Sequence, residues 1–551
     1  MIATLIKRYH LFKLQKAQKN PRRVQEQILL RILRDNQDTE FGREHGFATI
    51  NSLEGFQSQV PIRTSKEYAH YLEKSYQGDH QVLTKKAPYF YAMTAGSTGD
   101  YKHIPLTKAF KQELDRSVLC FYHMLELNCP GIKDSPTQFL VGSAEGGVTP
   151  GGIPKGFVSG FNYKNLPKFI RDKFIVPYWV FTLENAEDRY YAMARYLIDN
   201  GKVSAIAAFS PLNISNIAKA ILTRLDTLEE DLKSGALTLE NPVPDNTVSF
   251  QPKLTLHADV QSWRANAAEP KELMSLLFPN LQYYAAWLGG NMANSARTLF
   301  SLMGEKPVFE MPFSASEGIF AIPYKINQQG GIAAITSHFL EYIEEADIEN
   351  ADPKAYLVDE LSVGKNYYQI VTTSAGLYRY SMEDLITVVD FWDKTPVVKF
   401  ISKKARQVSI SNERINENDV TEAFLATCKQ QDLEIEEFIL FPTPKGYYRL
   451  MIDIDLDNLQ SFADGMEDAL CGRAMGYEFE REDLLLESLE LCVVEGGGVH
   501  SYVHARQVRS TLPSAQFKPV HLAASFDEHE DFIVVKSTRA HNKFSKNNKG
   551  V

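Results

Sequence analysis

The residues with the clearest chemical potential in this sequence lie in the loop 93–102, which follows three aromatic residues at 89–91. Two hydroxyl residues lie between two glycines, and a lysine follows closely: Gly96, Ser97, Thr98, Gly99 and Lys102. Glycines let backbone N–H groups surround an anion, while hydroxyls and a lysine add donors and positive charge. The P-loop spacing G-x-x-x-x-G-K-[ST] is absent. The pattern favours a loop that holds phosphate, and the alternative is an ordinary polar turn between strands.

A carboxylate is the second candidate. The run 314–318 (Ser-Ala-Ser-Glu-Gly) follows a short predicted strand at 307–312. Open α/β sheets bind ligands beyond the C-terminal ends of their strands. At that position Glu317 could share a Mg²⁺ ion with phosphate oxygens, and the alternative is a solvated loop carboxylate.

A glycine-rich segment is the third candidate. After the apolar residues 139–141, glycines occupy positions 142, 146, 147, 151 and 152. This density of glycine predicts a surface formed by the backbone. Either a plain crossover loop or a substrate-facing loop would explain it.

These segments need strands and helices to position them. Apolar residues at helical spacing predict helices at 22–34 and 108–126, whereas 36–43 has the composition of a loop. The apolar run 203–209 has the length of a strand and leads into a predicted helix at 214–225, an order typical of α/β proteins. Further strands are predicted at 281–289, 367–373 and 397–401.

A short basic linker divides the chain. Residues 1–402 are predicted to form a large domain, 403–406 a hinge, 407–540 a small α+β domain and 541–551 a disordered tail. In the small domain, Asn416 is predicted to cap a helix at 417–428. Alternating apolar residues at 448–456 predict a half-buried strand there.

Composition disfavours several classes of protein. The chain has 551 residues, of which 44% are hydrophobic and 23% charged, as in ordinary globular proteins. A net charge of -10, from 59 Lys+Arg and 69 Asp+Glu, disfavours a large nucleic-acid surface. The five cysteines are widely spaced and lack a C-x-x-C pair, so we expect neither a disulfide framework nor a zinc site, and a cytoplasmic location.

The N-terminus has a short apolar run before Lys7 and Arg8. The run is too short for a signal peptide, and no stretch approaches the roughly 20 apolar residues that span a bilayer. We therefore expect no membrane span, although this amphipathic start could contact a membrane surface or a partner.

Eight segments along nearly the whole chain together resemble the Gretchen-Hagen (auxin-responsive) family of acyl acid amido synthetases, within the adenylate-forming superfamily. They are 39–43 with 45–47, 60–62, 94–99 with Lys102 and 104–105, 151–154, 314–318, 339–343, 376–380 with Asp384, and 516–519. Any one segment is weak evidence, but eight in the family's order are strong. The family is known from plants and bacteria, and we expect a bacterial member.

The resemblance implies a fold and a reaction. The fold is α/β, with a large N-terminal adenylation domain of mixed β-sheets flanked by helices and a small, mobile α+β C-terminal domain. In the reaction, a carboxylate attacks the α-phosphate of ATP to give an acyl adenylate and pyrophosphate. An amine, such as an amino acid, then attacks the activated carbonyl. Such chemistry depends on positioning and charge stabilisation rather than on a covalent enzyme nucleophile.

The resemblance also implies roles for single residues. The phosphate-binding residues would be Gly96, Ser97, Thr98 and Gly99, the remaining nucleotide-site residues Ser316, Tyr378 and Asp384, the Mg²⁺ ligand Glu317, and the catalytic lysines Lys102 and Lys518. Asp384 would accept hydrogen bonds from the ribose hydroxyls. Lys518 would contact phosphate in one of two poses of the small domain, and the alternative is a solvated surface lysine.

The sequence departs from the family pattern at several places. Glu383 stands where glycine commonly precedes the ribose-binding aspartate, and we expect it to point away from the nucleotide. Residues 412–415 (Asn-Glu-Arg-Ile) replace a Gly-Glu-Lys-Leu run, and Val520 stands where an arginine often follows Lys-Pro. The loop 96–99 lacks one residue of the plant version.

The resemblance leaves the substrates open. Apolar candidates for the acid pocket are Tyr122, Phe139, Val158, Phe161 and Trp287, although aromatic residues at such positions are often only core. We expect a monomer that takes a small carboxylic acid and an amine. The alternatives are an acyl-adenylate ligase that transfers to the thiol of coenzyme A or a carrier protein, and a non-catalytic nucleotide-binding relative.

Overall fold

The computed structural model describes residues 2–95, 101–241, 248–266, 269–289, 292–350, 352–404, 407–408, 410, 413, 415–443, 445–482, 486–509, 520–523 and 532–541. Its helices are α1 (Ile2–Ala17), α2 (Pro21–Asn36), α3 (Glu40–Glu44), α4 (Leu53–Gln59), α5 (Ser65–Gln77), α6 (Lys108–Asn128), α7 (Val158–Asn165), α8 (Lys168–Arg171), α9 (Ala186–Asn200), α10 (Pro211–Thr223), α11 (Leu225–Ser234), α12 (Leu254–Ala265), α13 (Pro270–Leu277), α14 (Met292–Met303), α15 (Glu417–Gln430), α16 (Leu459–Cys471), α17 (Met475–Glu482) and α18 (Gly498–Arg509).

The strands are β1 (Phe90–Ala95), β2 (Tyr101–Leu106), β3 (Thr137–Phe139), β4 (Lys155–Gly156), β5 (Ala205–Ala207), β6 (Tyr283–Ala286), β7 (Val308–Glu310), β8 (Phe313–Ala315), β9 (Gly318–Ile322), β10 (Gly331–Ala333), β11 (Phe339–Glu344), β12 (Ala355–Leu357), β13 (Asn366–Thr373), β14 (Leu377–Trp392), β15 (Thr395–Lys403), β16 (Gln407–Val408), β17 (Ile415–Asn416), β18 (Phe438–Pro442), β19 (Tyr448–Ile452), β20 (Glu490–Val494) and β21 (Val534–Arg539).

The chain divides into two compact units. The first contains Met1–Leu288 and Thr298–Phe400, and the second contains Gly289–Arg297 and Ile401–Val551. The domain bounds and the hinge at 403–406 stay predictions. Residues 405 and 406 of that hinge, and the predicted tail from residue 542 onward, lie outside the described residues.

Three sheets build the first unit. Strands β3, β5, β6 and β7 are parallel neighbours in the order β3-β5-β6-β7. A larger sheet has the order β12-β11-β13-β14-β15-β10-β9-β8, and a small one has the order β2-β1-β4. Buried strands followed by helices, as β5 is by α10, agree with the predicted mixed α/β class.

Two predicted helices of this unit are confirmed within a few residues. Helix α2 buries Ile28, Leu29, Ile32 and Leu33, and the side chain of Asn20 accepts a hydrogen bond from the Arg23 N–H at its start. Thr107 caps α6 in the same way by accepting from Phe110. Both caps satisfy backbone donors that the first helical turn leaves free.

The prediction of a loop at 36–43 is partly wrong. Residues Glu40–Glu44 form α3, because the Thr39 side chain accepts from the Gly42 N–H and starts a helical turn. That turn inserts Phe41 fully into the core, where its ring stacks against Tyr378 with centroids 4.9 Å apart. The polar composition of 36–43 predicted a loop, although the segment contains a capped helical turn with one buried aromatic side chain.

The second unit is an α+β assembly. A sheet in the order β18-β19-β20-β21 packs against α15 and α16 through a separate hydrophobic core. Helix α15 starts where the sequence predicts, since the Asn416 side chain accepts from the Asp419 N–H. The predicted strand at 448–456 is shorter and ends at Ile452. Among the described residues, no helix has the length and apolar character to cross a bilayer.

Candidate functional site

The predicted phosphate loop connects two paired strands. Strands β1 and β2 are antiparallel, and their register pairs Thr94 with Lys102 and Ala95 with Tyr101. Residues 96–100, which include Gly96, Ser97, Thr98 and Gly99, lie outside the described residues. Lys102 is partly exposed and lies opposite Thr94, so the structure puts the predicted lysine beside the start of this loop.

The glycine-rich segment packs against β1. Strand β4 pairs with β1 in parallel, with Ala92 opposite Gly156. A Cβ atom on Gly156 would lie 2.0 Å from the Ala144 carbonyl oxygen, and one on Gly160 would lie 2.1 Å from the Gly142 carbonyl oxygen. These glycines are required because backbone approaches backbone closely. Close packing of the backbone thus explains Gly156 and Gly160, while the choice between a crossover loop and a substrate-facing loop for the glycines at 142–152 stays open.

Ser316 and Glu317 form the turn of a tight hairpin. Strand β8 pairs with β9 so that Ala315 lies opposite Gly318, and the two residues between them make the connection. Glu317 is only 6% exposed. The alternative of a solvated loop carboxylate is therefore wrong, and the role of Glu317 as a Mg²⁺ ligand stays a prediction.

The buried residues His338 and Glu113 support this hairpin. His338 accepts a hydrogen bond from the Ile319 N–H at Nε2 (3.3 Å), and its Nδ1 lies 3.1 Å from Glu113 Oε2. A Cβ atom on Gly318 would lie 2.8 Å from the His338 ring nitrogen. With Nε2 accepting, Nδ1 carries the proton and donates to Glu113.

Glu113 is the centre of that support. Its carboxylate accepts from Arg31 (2.9 Å) and from the Ser374 N–H (3.1 Å), and it has no exposed surface. Burial alone would raise the pKa of Glu113, but the hydrogen bonds from His338 and Ser374 outweigh it and hold the pKa below its ordinary value. The charged carboxylate thus fixes α2, α6 and the residue after β13 together.

Tyr380 lies within electrostatic range of both predicted carboxylates. Burial raises the pKa of the Tyr380 hydroxyl, and the charges of Glu317, Glu383 and Asp384 raise it further. Glu317 comes from the β8–β9 hairpin and Asp384 from β14, where it is buried. Both residues for which the resemblance implies roles at Mg²⁺ and ribose thus lie near one tyrosine. Tyr380 itself was given no role, although it lies in the run 376–380 that carries the resemblance.

Glu383 occupies an unusual backbone position. Its φ is +54°, in the left-handed region that glycine adopts without strain. Between the pairs Ser381–Ile370 and Leu385–Tyr368, β14 has four residue steps where β13 has two. The bulge explains why the resembled family commonly has glycine here. The charge of Glu383 also raises the pKa of the Tyr380 hydroxyl, so Glu383 lies near that tyrosine. The expectation that its side chain points away from the nucleotide stays a prediction.

Tyr378 does not join the carboxylates. Its side chain is fully buried, its hydroxyl donates to the Leu83 carbonyl (2.6 Å), and its backbone N–H donates to the Tyr68 hydroxyl (2.8 Å). Its ring packs on Phe41 and Phe47. This placement gives Tyr378 a packing role and leaves its side chain no surface for a nucleotide.

Arg379 is a second buried residue that the sequence left without a role. Its Nε lies 3.2 Å from Glu341 Oε2, and its Nη1 donates to the carbonyl oxygens of Gln57 and Val60, each at 2.8 Å. The ion pair and both carbonyls fix the start of β14 against α4. Position in the quoted run 376–380 was the one signal that could have singled it out.

An apolar cavity of about 120 Å³ lies in the first unit. Tyr122, Phe139 and Val158, three of the five predicted pocket residues, line it. The other two are not part of the lining. The rings of Phe161 and Phe90 pack with their centroids 4.3 Å apart, and the Trp287 indole N–H donates to the Pro312 carbonyl oxygen (2.9 Å). None of the described residues that line the cavity is charged.

Two features place polar groups at or near the lining of this cavity. Strand β8 contributes Ser314 and Ala315 to the lining, and its turn carries Ser316 and Glu317. Asn162 of α7 also lines the cavity, and its buried Oδ1 has no hydrogen-bond partner among the described residues. An apolar ligand with one hydrogen-bonding group suits such a lining.

The described residues contain no group of three or more His, Cys, Asp or Glu side chains arranged to hold a metal ion. A Mg²⁺ ion that is shared with phosphates takes only one or two carboxylates from the protein. Buried Glu317 near the other carboxylates therefore fits such an ion. Lys518 lies outside the described residues.

Three family domains match the chain. They are the GH3 family N-terminal domain at residues 10–308, the GH3 family central domain at 331–403 and the GH3 family C-terminal domain at 418–526. The first match alone covers more than half of the chain, and the three follow one another in order.

Curated relatives are similar over most of the chain. A probable indole-3-acetic acid-amido synthetase, GH3.1 of Arabidopsis thaliana, is 23% identical over 74% of this chain and 70% of its own length. The jasmonoyl–L-amino acid synthetase JAR4 of Nicotiana attenuata is 22% identical over 88% of each chain.

Solved structures share the fold. The acyl acid amido synthetase AtGH3.15, in complex with 2,4-DB, superposes with a TM-score of 0.82 at 17% identity and covers 97% of both chains. A 2-hydroxyisobutyryl-CoA ligase in the postadenylation state, in complex with R3-HIB-AMP, gives a TM-score of 0.50 at 10% identity over 90% of this chain and 88% of its own. The α/β fold of this chain is thus shared with both of these enzymes.

Proposed function

The chain belongs to the GH3 family, and on this premise we propose that it is an ATP-dependent acyl acid amido synthetase. It adenylates a carboxylic acid, releases pyrophosphate and transfers the acyl group to an amine, with an amino acid as the acceptor. The observation that carries the proposal is that the buried carboxylates Glu317 and Asp384 both lie near Tyr380. The amido synthetase names of the curated relatives support the same reaction.

The apolar part of the acid binds in the 120 Å³ cavity. An uncharged lining excludes a second carboxylate or an ammonium group deep in the pocket, because an unpaired buried charge is costly. An acid that brings a hydrogen-bond donor to Asn162 would satisfy its buried oxygen. The substrate is therefore a compact, mainly apolar monocarboxylic acid.

ATP binds with its ribose at Asp384 and its AMP portion beside Ser316. The loop 96–99 and Lys102 face the phosphates, where backbone N–H groups, hydroxyls and an ammonium stabilise the charge that develops at phosphorus. Lys518 of the second unit is the further candidate for phosphate contact. These residues hold and orient the reacting groups, so no side chain needs to form a covalent bond.

Mg²⁺ would be held by Glu317. Hard oxygen ligands from one or two carboxylates, completed by phosphate oxygens, are what this ion prefers, and the buried carboxylate of Glu317 is of that kind. When bound, the ion supplies positive charge beside the phosphates. The buried position of Glu317 keeps its carboxylate fixed for this task.

Exchange of labelled pyrophosphate into ATP tests the first half-reaction. Exchange should appear only when a suitable acid is present. Asp384→Asn removes the charge that accepts from ribose, which typically costs about 1.5–3 kcal/mol, or roughly a 10- to 150-fold loss of kcat/KM for ATP. Asp79→Asn is the matched control, because Asp79 is an exposed aspartate at the end of α5. Equal exchange by both variants would show that the ribose assignment is wrong.

Product analysis tests the second half-reaction. With ATP, the acid and a mixture of amino acids and coenzyme A, the proposal expects an amide and AMP. A thioester in place of the amide would favour transfer to a thiol. A folded protein that binds ATP but supports no exchange with a broad acid panel would instead be the non-catalytic relative.

A further inference from the structure

Helix α1 is anchored by one face only. Leu11, Leu14 and Ala17 are buried in the core of the first unit, and α1 packs along α6. The ammonium of Lys7 on the same face pairs with Glu126 of α6. These contacts fix the rotation of the helix and determine which residues lie on the outward face.

The outward face is apolar. Leu5, Tyr9 and Phe12 are 57%, 53% and 58% exposed, and their spacing of four and then three residues places them in one stripe. Ile6 extends this stripe at 39% exposure. No other helix of the described residues carries more than one large apolar side chain of comparable exposure. Scattered single apolar residues are normal on a surface, but a stripe indicates a contact.

Positive charge surrounds the stripe. Arg8 and Lys13 lie to either side of it at about 100° per residue, and Lys16 continues it towards the end of the helix. The Lys13 ammonium lies 5.3 Å from the centre of the Tyr9 ring. Within residues 1–25 there are seven Lys and Arg and no Asp or Glu, although the whole chain has a net charge of -10.

We propose that α1 docks the protein on an anionic lipid surface, with Leu5, Tyr9 and Phe12 entering the boundary between headgroups and acyl chains. A helix that lies in this interface combines an apolar face with flanking lysines and arginines. The long stems of Arg8, Lys13 and Lys16 can lie along the apolar region while their charges reach lipid phosphates. An acidic overall charge would otherwise keep the protein away from such a surface, so the local reversal of sign is complementary to lipid phosphate.

Vesicle sedimentation of the full chain tests the proposal. We expect binding to phosphatidylcholine vesicles that contain about one third phosphatidylglycerol, little binding to phosphatidylcholine alone, and release by high salt. The double variant Tyr9→Ser, Phe12→Ser should lower the bound fraction about tenfold. The variant Lys13→Glu, Lys16→Glu should lower it at least as much, since each cation near an anionic surface is worth about fivefold in affinity.

Matched controls use exposed residues on other helices. Leu254→Ser on α12 removes an apolar side chain that is 63% exposed, and Lys219→Glu on α10 reverses an exposed charge. Neither should change the binding, and thermal unfolding should report the same midpoint for all variants. A Phe12→Trp variant should show a blue shift of the added fluorescence on anionic vesicles, which reports entry into the lipid.

Three results would overturn the proposal. The first is no binding above that to phosphatidylcholine, and the second is equal binding by the α1 variants and their controls. The third is salt-sensitive binding to polyglutamate without binding to vesicles, which would assign α1 to an acidic protein partner. None of these results depends on the amido synthetase activity.

Discussion

Glu113 links the stability of the first unit to pH. The carboxylate is fully buried and accepts from His338, Arg31 and Ser374. Its pKa in the folded protein lies below its ordinary value of 4.5 because these hydrogen bonds outweigh the effect of burial. The unfolded chain therefore binds a proton first as the pH falls. The stabilisation is fully present above about pH 4.5 and is lost as the pH falls through the lower pKa of the folded state.

Glu113→Gln isolates this contribution. The amide keeps the size of the side chain and its ability to accept from His338, but it has no charge to lose. We expect the variant to be less stable than the wild type at pH 7, by about 3–5 kcal/mol for a broken buried ion pair. The difference in free energy of unfolding between the wild type and the variant should become smaller below pH 4.5, as measured by urea unfolding across the acid range.

A surface carboxylate provides the comparison for this experiment. Glu305→Gln changes an exposed glutamate in the same unit, so it should shift neither the stability at pH 7 nor its pH dependence. A constant gap between the wild type and Glu113→Gln from pH 7 to pH 3 would contradict the assignment of a lowered pKa.

Some of these residues could be predicted from the sequence. Glu317 was identified from its place after a predicted strand, and Asp384 because it follows a run that resembles a family segment. His338 and Glu113 lie 225 residues apart in the chain, and a contact of that range leaves no local pattern. Tyr380 shares β14 with Glu383 and Asp384, but its proximity to Glu317 of the β8–β9 turn is likewise long-range in the chain. Tyr378 is the opposite case: it lies in a motif and was predicted to bind the nucleotide, but its side chain packs in the core. Membership of a motif does not distinguish packing from binding.

At the scale of elements, strand β4, which follows the glycine-rich segment, depends on close contact between backbones. Gly156 lies in β4 beside β1, and a Cβ atom there would lie 2.0 Å from the Ala144 carbonyl oxygen. Since the neighbour is backbone, the Gly156→Ala variant must shift β4 or the segment 142–147. We expect a loss of at least about 2 kcal/mol in the free energy of unfolding.

Gly55→Ala is the matched control for that variant. Gly55 lies in α4 with an ordinary contact of 3.4 Å between its Cβ position and the Ser52 hydroxyl. Alanine favours a helix by about 1 kcal/mol over glycine, so this variant should be as stable as the wild type or more stable. Thermal and urea unfolding of both variants provide the measurement. If both change stability equally, close backbone packing does not explain Gly156.

Elements with local signals were the predictable ones. Helices α2, α6 and α15 have regular apolar spacing and a capping side chain directly before them. The hairpin at Ser316 was not predicted, because its pairing with β9 depends on residues that follow the turn. The bulge of β14 was missed for a similar reason: a left-handed residue usually signals itself as glycine, and here it is Glu383.

At the scale of the whole molecule, the cavity could be predicted only in part. Its lining comes from α6, α7, β3, β5, β6 and β8, among other segments. Apolar and aromatic residues in those segments have the same composition whether they face a cavity or fill a core. Packing of several elements decides between the two, so three predicted residues line the cavity and two do not.

Ala207→Leu tests whether the cavity selects the acid. Ala207 of β5 lines the cavity, and a leucine side chain there would fill a large part of its 120 Å³. In acid-dependent pyrophosphate exchange, kcat/KM for bulky aromatic acids should fall at least tenfold, while that for short aliphatic acids changes less, because only the larger ligands lose space. The ratio between two acids is informative even if some protein unfolds, since both acids meet the same folded fraction. Ala69→Leu, on an exposed position of α5, should leave that ratio unchanged. If the ratio moves equally in both variants or in neither, the acid binds outside this cavity.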